Sequence, residues 1–129
     1  MSKPFDPHGA FTALVTPFTG SGDGAKCDDA AFRANVEFQV QNGITGLVPC
    51  GTTGESPTLT WEEHNRVIQL CVEVAGARVS VLAGTGSNST DEAIWSSKHA
   101  RDLGASAGLL VDCYYNGPSS LELREEYYE

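Results

Sequence analysis

The chain has 129 residues, enough for one modest domain, and 40% of them are hydrophobic. Seventeen acidic against eight basic residues give a formal net charge of −9, a balance that repels phosphate backbones and anionic lipids. No apolar stretch approaches the roughly 20 residues that span a bilayer. We therefore expect neither nucleic acid nor a membrane as a partner. Residues 1–6 lack the apolar core of a signal peptide, which predicts a cytoplasmic location.

Apolar runs and helical periods alternate along the chain. Four runs predict strands: 11–16, 44–48, 78–83 and 108–111. Four segments with helical periodicity predict helices: 28–41, 61–75, 90–103 and a last one that starts at 118. Asp28 or Asp29 can cap the first helix, and Thr90 or Asp91 the third. The glycine-rich stretch 19–26 is predicted as a polar loop.

Four consecutive strand–helix units with strands apolar on both faces predict a parallel sheet covered by helices. A doubly wound open sheet and a stretch of a (β/α)8 barrel both fit. Near-equal units without a dinucleotide fingerprint favour the barrel. A complete barrel needs roughly 250 residues. We therefore expect an α/β fold in which residues 1–129 form one partial-barrel domain, about four βα units of the N-terminal half of a TIM barrel, truncated before the second half.

The cysteines give no evidence of a metal or disulfide site. Their positions, Cys27, Cys50, Cys71 and Cys113, form no Cys-x-x-Cys pair and no zinc spacing with histidine. We predict reduced thiols, with the last three in the core. We predict neither a metal nor a cofactor.

The segment Gly51-Thr52-Thr53-Gly54-Glu55 directly follows the second predicted strand. Amides and hydroxyls crowded into a tight strand-to-helix turn favour a bound anion. Thr52 and Thr53 are therefore candidates to hold a carboxylate. A structural turn with a helix cap explains the same local pattern.

Other strand ends carry weaker signals. Gly84-Thr85-Gly86 is predicted to be a turn that needs small residues. In Tyr114-Tyr115-Asn116, one phenol can relay a proton with a threonine hydroxyl, or the pair can simply pack. Tyr127-Tyr128 is predicted to pack in a helix, and His64 to lie at a surface or an interface. The chain's three lysines, Lys3, Lys26 and Lys98, are not placed to form a Schiff base.

Four blocks together resemble the dihydrodipicolinate synthase / N-acetylneuraminate lyase family, over about residues 11–128. They are Ala13-Leu14-Val15-Thr16-Pro17-Phe18, Gly51-Thr52-Thr53-Gly54-Glu55-Ser56, Ala83-Gly84-Thr85-Gly86-Ser87-Asn88, and Tyr114-Tyr115-Asn116 followed by Pro118. The resemblance implies a (β/α)8 lyase that forms a Schiff base between a lysine and pyruvate and adds the enamine to an aldehyde. Thr52-Thr53 leans toward the synthase branch, which uses aspartate semialdehyde in lysine biosynthesis.

The resemblance also implies roles for individual residues. Thr52 and Thr53 would contact the pyruvate carboxylate, and Thr52 would share a hydroxyl relay with Tyr115 of a neighbouring subunit in a homo-oligomer. Positions that match a lysine-binding allosteric site are Ser56, His64, Asn88 and Glu92. The chain departs from the family at Trp61, often histidine, and at Asp112-Cys113, typically Thr-Pro.

The resemblance places the Schiff-base lysine beyond residue 129, so we expect this polypeptide alone to be inactive. Two other functions remain open. One is a different 2-oxo-acid aldolase of the same family. The other is a non-catalytic half-barrel that acts as a structural or regulatory module. A small flavodoxin-like binding domain is disfavoured because the chain has no cofactor fingerprint.

Overall fold

The computed structural model describes residues 3–129. Its strands are β1 (Phe11–Ala13), β2 (Phe18–Thr19), β3 (Lys26–Cys27), β4 (Gly46–Val48), β5 (Ser80–Gly84) and β6 (Ala107–Leu109). Its helices are α1 (Asp29–Gln41), α2 (Trp61–Ala75), α3 (Thr90–Leu103) and α4 (Ser120–Glu122), the last followed by a π-helical turn, Leu123–Tyr128. Short 3-10 turns occupy Gly22–Gly24, Thr52–Gly54 and Ser56–Thr58.

The main sheet has the strand order β1-β4-β5-β6, and all its neighbouring strands are parallel. In register, Phe11 lies opposite Gly46, Gly46 opposite Ser80, and Leu82 opposite Ala107. The spatial order follows the order in the chain, whereas a doubly wound sheet reverses direction at a switch point. Four successive parallel strands joined through helices are the arrangement of a partial barrel, as the sequence predicts.

The core lies between the sheet and helices α1 and α2. It is built from fully buried apolar side chains on both layers: Leu14, Phe32, Val36, Leu47, Val67, Ile68, Leu70, Cys71 and Val81. Burying a side chain of this size contributes about 1.5–3 kcal/mol each. These contacts hold the carboxyl ends of β4 and β5 side by side.

The helix starts are fixed by side-chain caps. Asp28 accepts the Ala31 N–H (2.9 Å), and Thr60 forms a reciprocal capping box with Glu63. The predicted N-terminal cap of α3, Thr90 or Asp91, lies one or two residues too far along the chain. Ser89 is the cap, because its hydroxyl accepts the Glu92 N–H (3.4 Å) and Thr90 is already helical.

Two local predictions differ from the structure at the sheet's margins. The stretch 19–26 is part of a small antiparallel hairpin, in which Phe18 pairs with Cys27 and Thr19 with Lys26. Strands of two residues are too short to show a period in the sequence. The last strand, β6, ends at Leu109 rather than residue 111, at an edge where pairing is available on one side only.

The cysteines divide into two groups. Cys50 and Cys71 are buried as predicted, and burial raises the pKa of the Cys71 thiol to about 12. Cys113 is only half-buried, because it follows an edge strand, so its assignment to the core was wrong.

Among residues 3–129, no helix combines the length and the hydropathy required to cross a bilayer.

Candidate active site

A cavity of about 860 Å³ opens at the carboxyl ends of β4, β5 and β6. The turn after β4 and the start of α2 form one wall, and the turns after β5 and β6 form the other. Its lining residues are Cys50, Gly51, Thr52, Ser56, Pro57, Leu59, Trp61, His64, Gly84, Gly86, Ser87, Asn88, Ser89, Glu92, Leu109, Leu110, Val111 and Tyr114. Loops at the carboxyl ends of parallel strands are where barrels of this architecture carry their active sites.

The turn after β4 presents its threonines outward. Thr52 and Thr53 begin a 3-10 turn and are exposed, and Thr52 lines the cavity. Their backbone N–H groups have no acceptor among residues 3–129, whereas the Gly54 N–H bonds to Gly51 O (3.0 Å). Gly54 is buried, and its carbonyl accepts the Thr16 hydroxyl (2.8 Å), which fixes the turn from below. Two amides and two hydroxyls are thereby left available to an anion.

The end of β5 and the segment just after it require glycine at two positions. A Cβ at Gly84 would lie 2.0 Å from Cys50 O, and a Cβ at Gly86 would lie 2.3 Å from Val111 N. Neither space can hold a methyl group unless the backbone moves. The predicted need for small residues is confirmed, but Gly84 ends β5 rather than forming a turn, and the two glycines bring three strand ends close together.

His64 is buried, with 3% of its surface exposed, so the surface alternative of its prediction was wrong, and the interface alternative stays a prediction. It lies one turn into α2, where the Trp61 ring packs edge-on against it at 5.3 Å. Burial lowers its pKa, which favours the neutral imidazole. Its Nδ1 has no hydrogen-bond partner within the described part of the chain, and the side chain borders the cavity.

Residues predicted for the pyruvate site and residues predicted for the allosteric lysine site line the same cavity. Ser56, His64, Asn88 and Glu92 line it together with Thr52. Glu92 accepts the Ser87 hydroxyl (2.6 Å), and Asn88 Oδ1 accepts the Tyr114 N–H (2.9 Å). The Glu92 carboxylate and the His64 ring therefore border the same space as the threonine turn.

Tyr115 is not brought to this cavity within the chain. It is 88% exposed, whereas its neighbour Tyr114 lines the cavity. The preceding Asp112 accepts a hydrogen bond from the Tyr128 hydroxyl, a contact that raises the pKa of Tyr128 to about 12. The three lysines are all exposed, and none lines the cavity.

One residue that supports the site, Tyr127, was not predicted from the sequence. Tyr127 is buried, as packing in a helix requires, but its phenol also bonds to the backbone of Ser87 and Val111 at the cavity wall. No sequence spacing relates these three positions. Only the fold brings them together.

The sequence profile of the Dihydrodipicolinate synthetase family matches residues 6–129, nearly the whole chain. The chain belongs to this family. The family resemblance predicted from the four motif blocks is thereby confirmed.

Individual family members are close to the chain in both sequence and structure. The 4-hydroxy-tetrahydrodipicolinate synthase of Agrobacterium fabrum is 56% identical over 111 residues, which is 86% of this chain and 37% of that protein. A solved structure, the chloride-inhibited dihydrodipicolinate synthase from Acinetobacter baumannii complexed with pyruvate, has a TM-score of 0.86 at 44% identity over 92% of this chain and 40% of that one. The lysine-bound enzyme of Cyanidioschyzon merolae has a TM-score of 0.85 at 37% identity, over 92% and 39%.

The matched region is one part of these family members. The chain spans about 40% of the length of the dihydrodipicolinate synthases that it matches. Its parallel strands superimpose on the corresponding part of their barrels. The fold is therefore a partial (β/α)8 barrel of the dihydrodipicolinate synthetase family.

Proposed function

We propose that this chain is the N-terminal part of a pyruvate-dependent Schiff-base aldolase, a lyase that condenses pyruvate with aspartate semialdehyde in lysine biosynthesis. The observation that carries the proposal is the exposed Thr52-Thr53 turn, in which neither backbone amide has an acceptor within residues 3–129 and Thr52 lines the cavity. Relatives named 4-hydroxy-tetrahydrodipicolinate synthase support it, as does a similar fold solved with pyruvate.

In this proposal the turn binds the carboxylate of pyruvate. A carboxylate accepts up to four hydrogen bonds, which matches the amides and hydroxyls of Thr52 and Thr53. The pyruvate carbonyl condenses with a lysine amine and releases water, and loss of a methyl proton gives the enamine that attacks the aldehyde. That lysine is supplied from outside these 129 residues, because Lys3, Lys26 and Lys98 are exposed and away from the cavity.

The proton transfers are assigned to hydroxyl groups. Thr52 and Tyr115 share the relay, with Tyr115 contributed by a neighbouring subunit of a homo-oligomer in the cytoplasm. The exposure of Tyr115, 88%, is consistent with a side chain that acts in another subunit. A chain of hydroxyls moves protons without a charged base, provided that its oxygens lie about 2.6–3.2 Å apart.

The test is chemical trapping of the imine. The natively expressed protein is treated with pyruvate and borohydride, and its intact mass is measured. We expect one reduced pyruvate adduct. In the Thr52→Val variant we expect the adduct to form at least about tenfold more slowly, since one strong hydrogen bond is worth about a factor of ten.

The matched control is Thr19→Val, which changes an exposed hairpin threonine far from the turn in the chain. It should form the adduct at the parent rate. A parent protein that forms no adduct would contradict the aldolase and leave the non-catalytic half-barrel module as the better function.

A second role follows from residues on both walls of the same cavity. Ser56, His64, Asn88 and Glu92 form the proposed allosteric site for lysine: the Glu92 carboxylate suits an ammonium group and the His64 Nδ1 is unpartnered within residues 3–129. A similar fold solved with lysine supports this. Added lysine should change the fluorescence of Trp61, which lines the same cavity. The Glu92→Gln substitution should weaken that response. The control Glu62→Gln, at an exposed position in the first turn of α2, should leave it unchanged.

A further inference from the structure

The phenol of Tyr127 joins two segments of the cavity wall. Its oxygen accepts the Ser87 N–H (3.2 Å) and lies 3.0 Å from Ser87 O and 3.2 Å from Val111 O. The single hydroxyl proton is shared between these two carbonyls in a three-centre bond. The side chain is buried, with 9% of its surface exposed, so water does not readily replace these bonds.

These bonds lie beyond the point where the sheet itself ends. The last backbone bond between the two segments is from Thr85 N–H to Leu109 O (2.9 Å). Beyond this bond the two segments stay close together: a Cβ at Gly86 would lie 2.3 Å from Val111 N. Tyr127 therefore continues the connection between the end of β5 and the end of β6 where no ladder is available.

The segment after β6, which Tyr127 holds at Val111, continues as a loop of residues 111–115 that we call the tyrosine loop. Next to Ser87, Asn88 accepts the Tyr114 N–H through Oδ1 (2.9 Å) and, through its carbonyl, the Cys113 thiol (3.7 Å). The tyrosine loop is thus held to the turn after β5 by Tyr127 at its start and by Asn88 at its centre. A further bond, from the exposed Tyr128 hydroxyl to Asp112, does not involve that turn.

We propose that Tyr127 is a positioning residue for the proton relay, acting by fixing the tyrosine loop from which Tyr115 projects. The inference rests on the proposed aldolase function. A relay is sensitive to small displacements, because misplacement by about 1 Å can cost a factor of about 100 in rate. Removing the phenol oxygen leaves the Ser87 N–H and the Val111 carbonyl without this buried partner.

The test is Tyr127→Phe in the full-length protein, assayed for condensation of pyruvate with aspartate semialdehyde. We expect kcat to fall about tenfold, as for the loss of a strong buried hydrogen bond, and the KM for pyruvate to stay within about twofold. The hydrogen bonds of Tyr127 go to Ser87 and Val111 and not to the threonine turn, which is the proposed pyruvate site. Hydrogen exchange at the amides of Ser87 and Tyr114 should become about tenfold faster.

The matched control is Tyr128→Phe, the same chemical change at the next residue. Tyr128 is 49% exposed, so water can solvate its partner Asp112, and kcat should stay at the parent value. A Tyr127→Phe variant that keeps the parent kcat, or loses activity through KM alone, would overturn the inference. A parent protein that forms no borohydride-trapped adduct would instead overturn the proposed function and the inference with it.

A second variant covers the case in which Tyr127→Phe does not fold. A fluorinated tyrosine at position 127 keeps the ring and the hydroxyl but has a more acidic phenol. The fluorines withdraw electron density from the phenol oxygen, which makes it a poorer acceptor for the Ser87 N–H. A lower kcat with an unchanged KM for pyruvate when position 127 is fluorinated, but not when position 128 is, supports the inference, and a parent kcat in the position 127 variant overturns it.

Discussion

At the scale of single residues, His64 has the most consequential environment. It lies on the stripe of α2 that continues through Ile68, Cys71 and Ala75, all of which are fully buried. The ring is covered by Trp61, which packs edge-on against Trp95 at 5.3 Å. A buried imidazole is neutral near pH 7, because its charged form would lose solvation without gaining an anionic partner.

This burial predicts a specific dependence of stability on pH. The pKa of His64 is lower in the folded state than the ordinary value of about 6.5, so below that pH the unfolded chain binds a proton that the folded chain does not. The free energy of unfolding should therefore fall as pH drops from 7 to 5, by up to about 1.4 kcal/mol per unit from this residue.

The measurement is denaturant unfolding at several pH values for the parent and for His64→Gln. The variant should lose less stability on acidification, whatever its stability at pH 7. Parallel curves for the parent and His64→Gln would disprove the prediction.

At the scale of elements, the close approach of β5 to the turn after β4 shapes the site. Cys50 has a positive φ of 56°, an uncommon conformation for a residue other than glycine, and its carbonyl points at the Cα of Gly84. The Gly84 N–H bonds to Pro49 O (2.9 Å) in the same approach. Because these are backbone atoms, a side chain at position 84 cannot be accommodated by a rotamer change.

Gly84→Ala should therefore destabilise the protein by about 3 kcal/mol or more, the cost of overpacking a rigid site. Gly24→Ala is the matched control, since a Cβ there meets nothing within 4 Å and its φ is not in the left-handed region. Thermal unfolding of both variants checks the prediction. Equal melting temperatures for the two would show that the turn after β4 can move.

At the scale of the whole molecule, the four-stranded sheet has two edges. Within residues 3–129, β1 pairs only with β4 and β6 only with β5. Apolar side chains beside these edges are exposed, with Val15 at 54%, Leu109 at 44% and Val111 at 46%. Unpaired edges next to exposed apolar groups favour association between chains.

We therefore expect the polypeptide of residues 1–129 to self-associate, and Val15→Lys to shift it toward the monomer by placing a charge beside the β1 edge. Phe38→Lys is the control, because Phe38 is equally apolar and 60% exposed but lies on α1. Light scattering coupled to size exclusion measures the masses. A monomeric parent at about 100 µM, or equal effects of the two variants, would count against the edges as the cause.

Some features of the site were predictable from the sequence because they are local. The turn at Thr52-Thr53, the glycines at 84 and 86, and the capping of α2 by Thr60 all depend on residues close together in the chain. The burial of His64 was not predicted although its helical stripe was visible, because histidine is found both inside and outside proteins. The prediction followed the residue type of His64 rather than its place in the helical period.

The sequence by itself determined the alternation of strands and helices, the parallel sheet and the family resemblance, since these follow from hydrophobic period, turn chemistry and short motifs. Only the tertiary structure decided that Thr52, His64 and Glu92 line one cavity and that Tyr127 bonds to Ser87 and Val111. The physical reason is that parallel strands bring distant turns to the same edge of the sheet. Contacts there depend on packing and backbone approach, which local patterns do not encode.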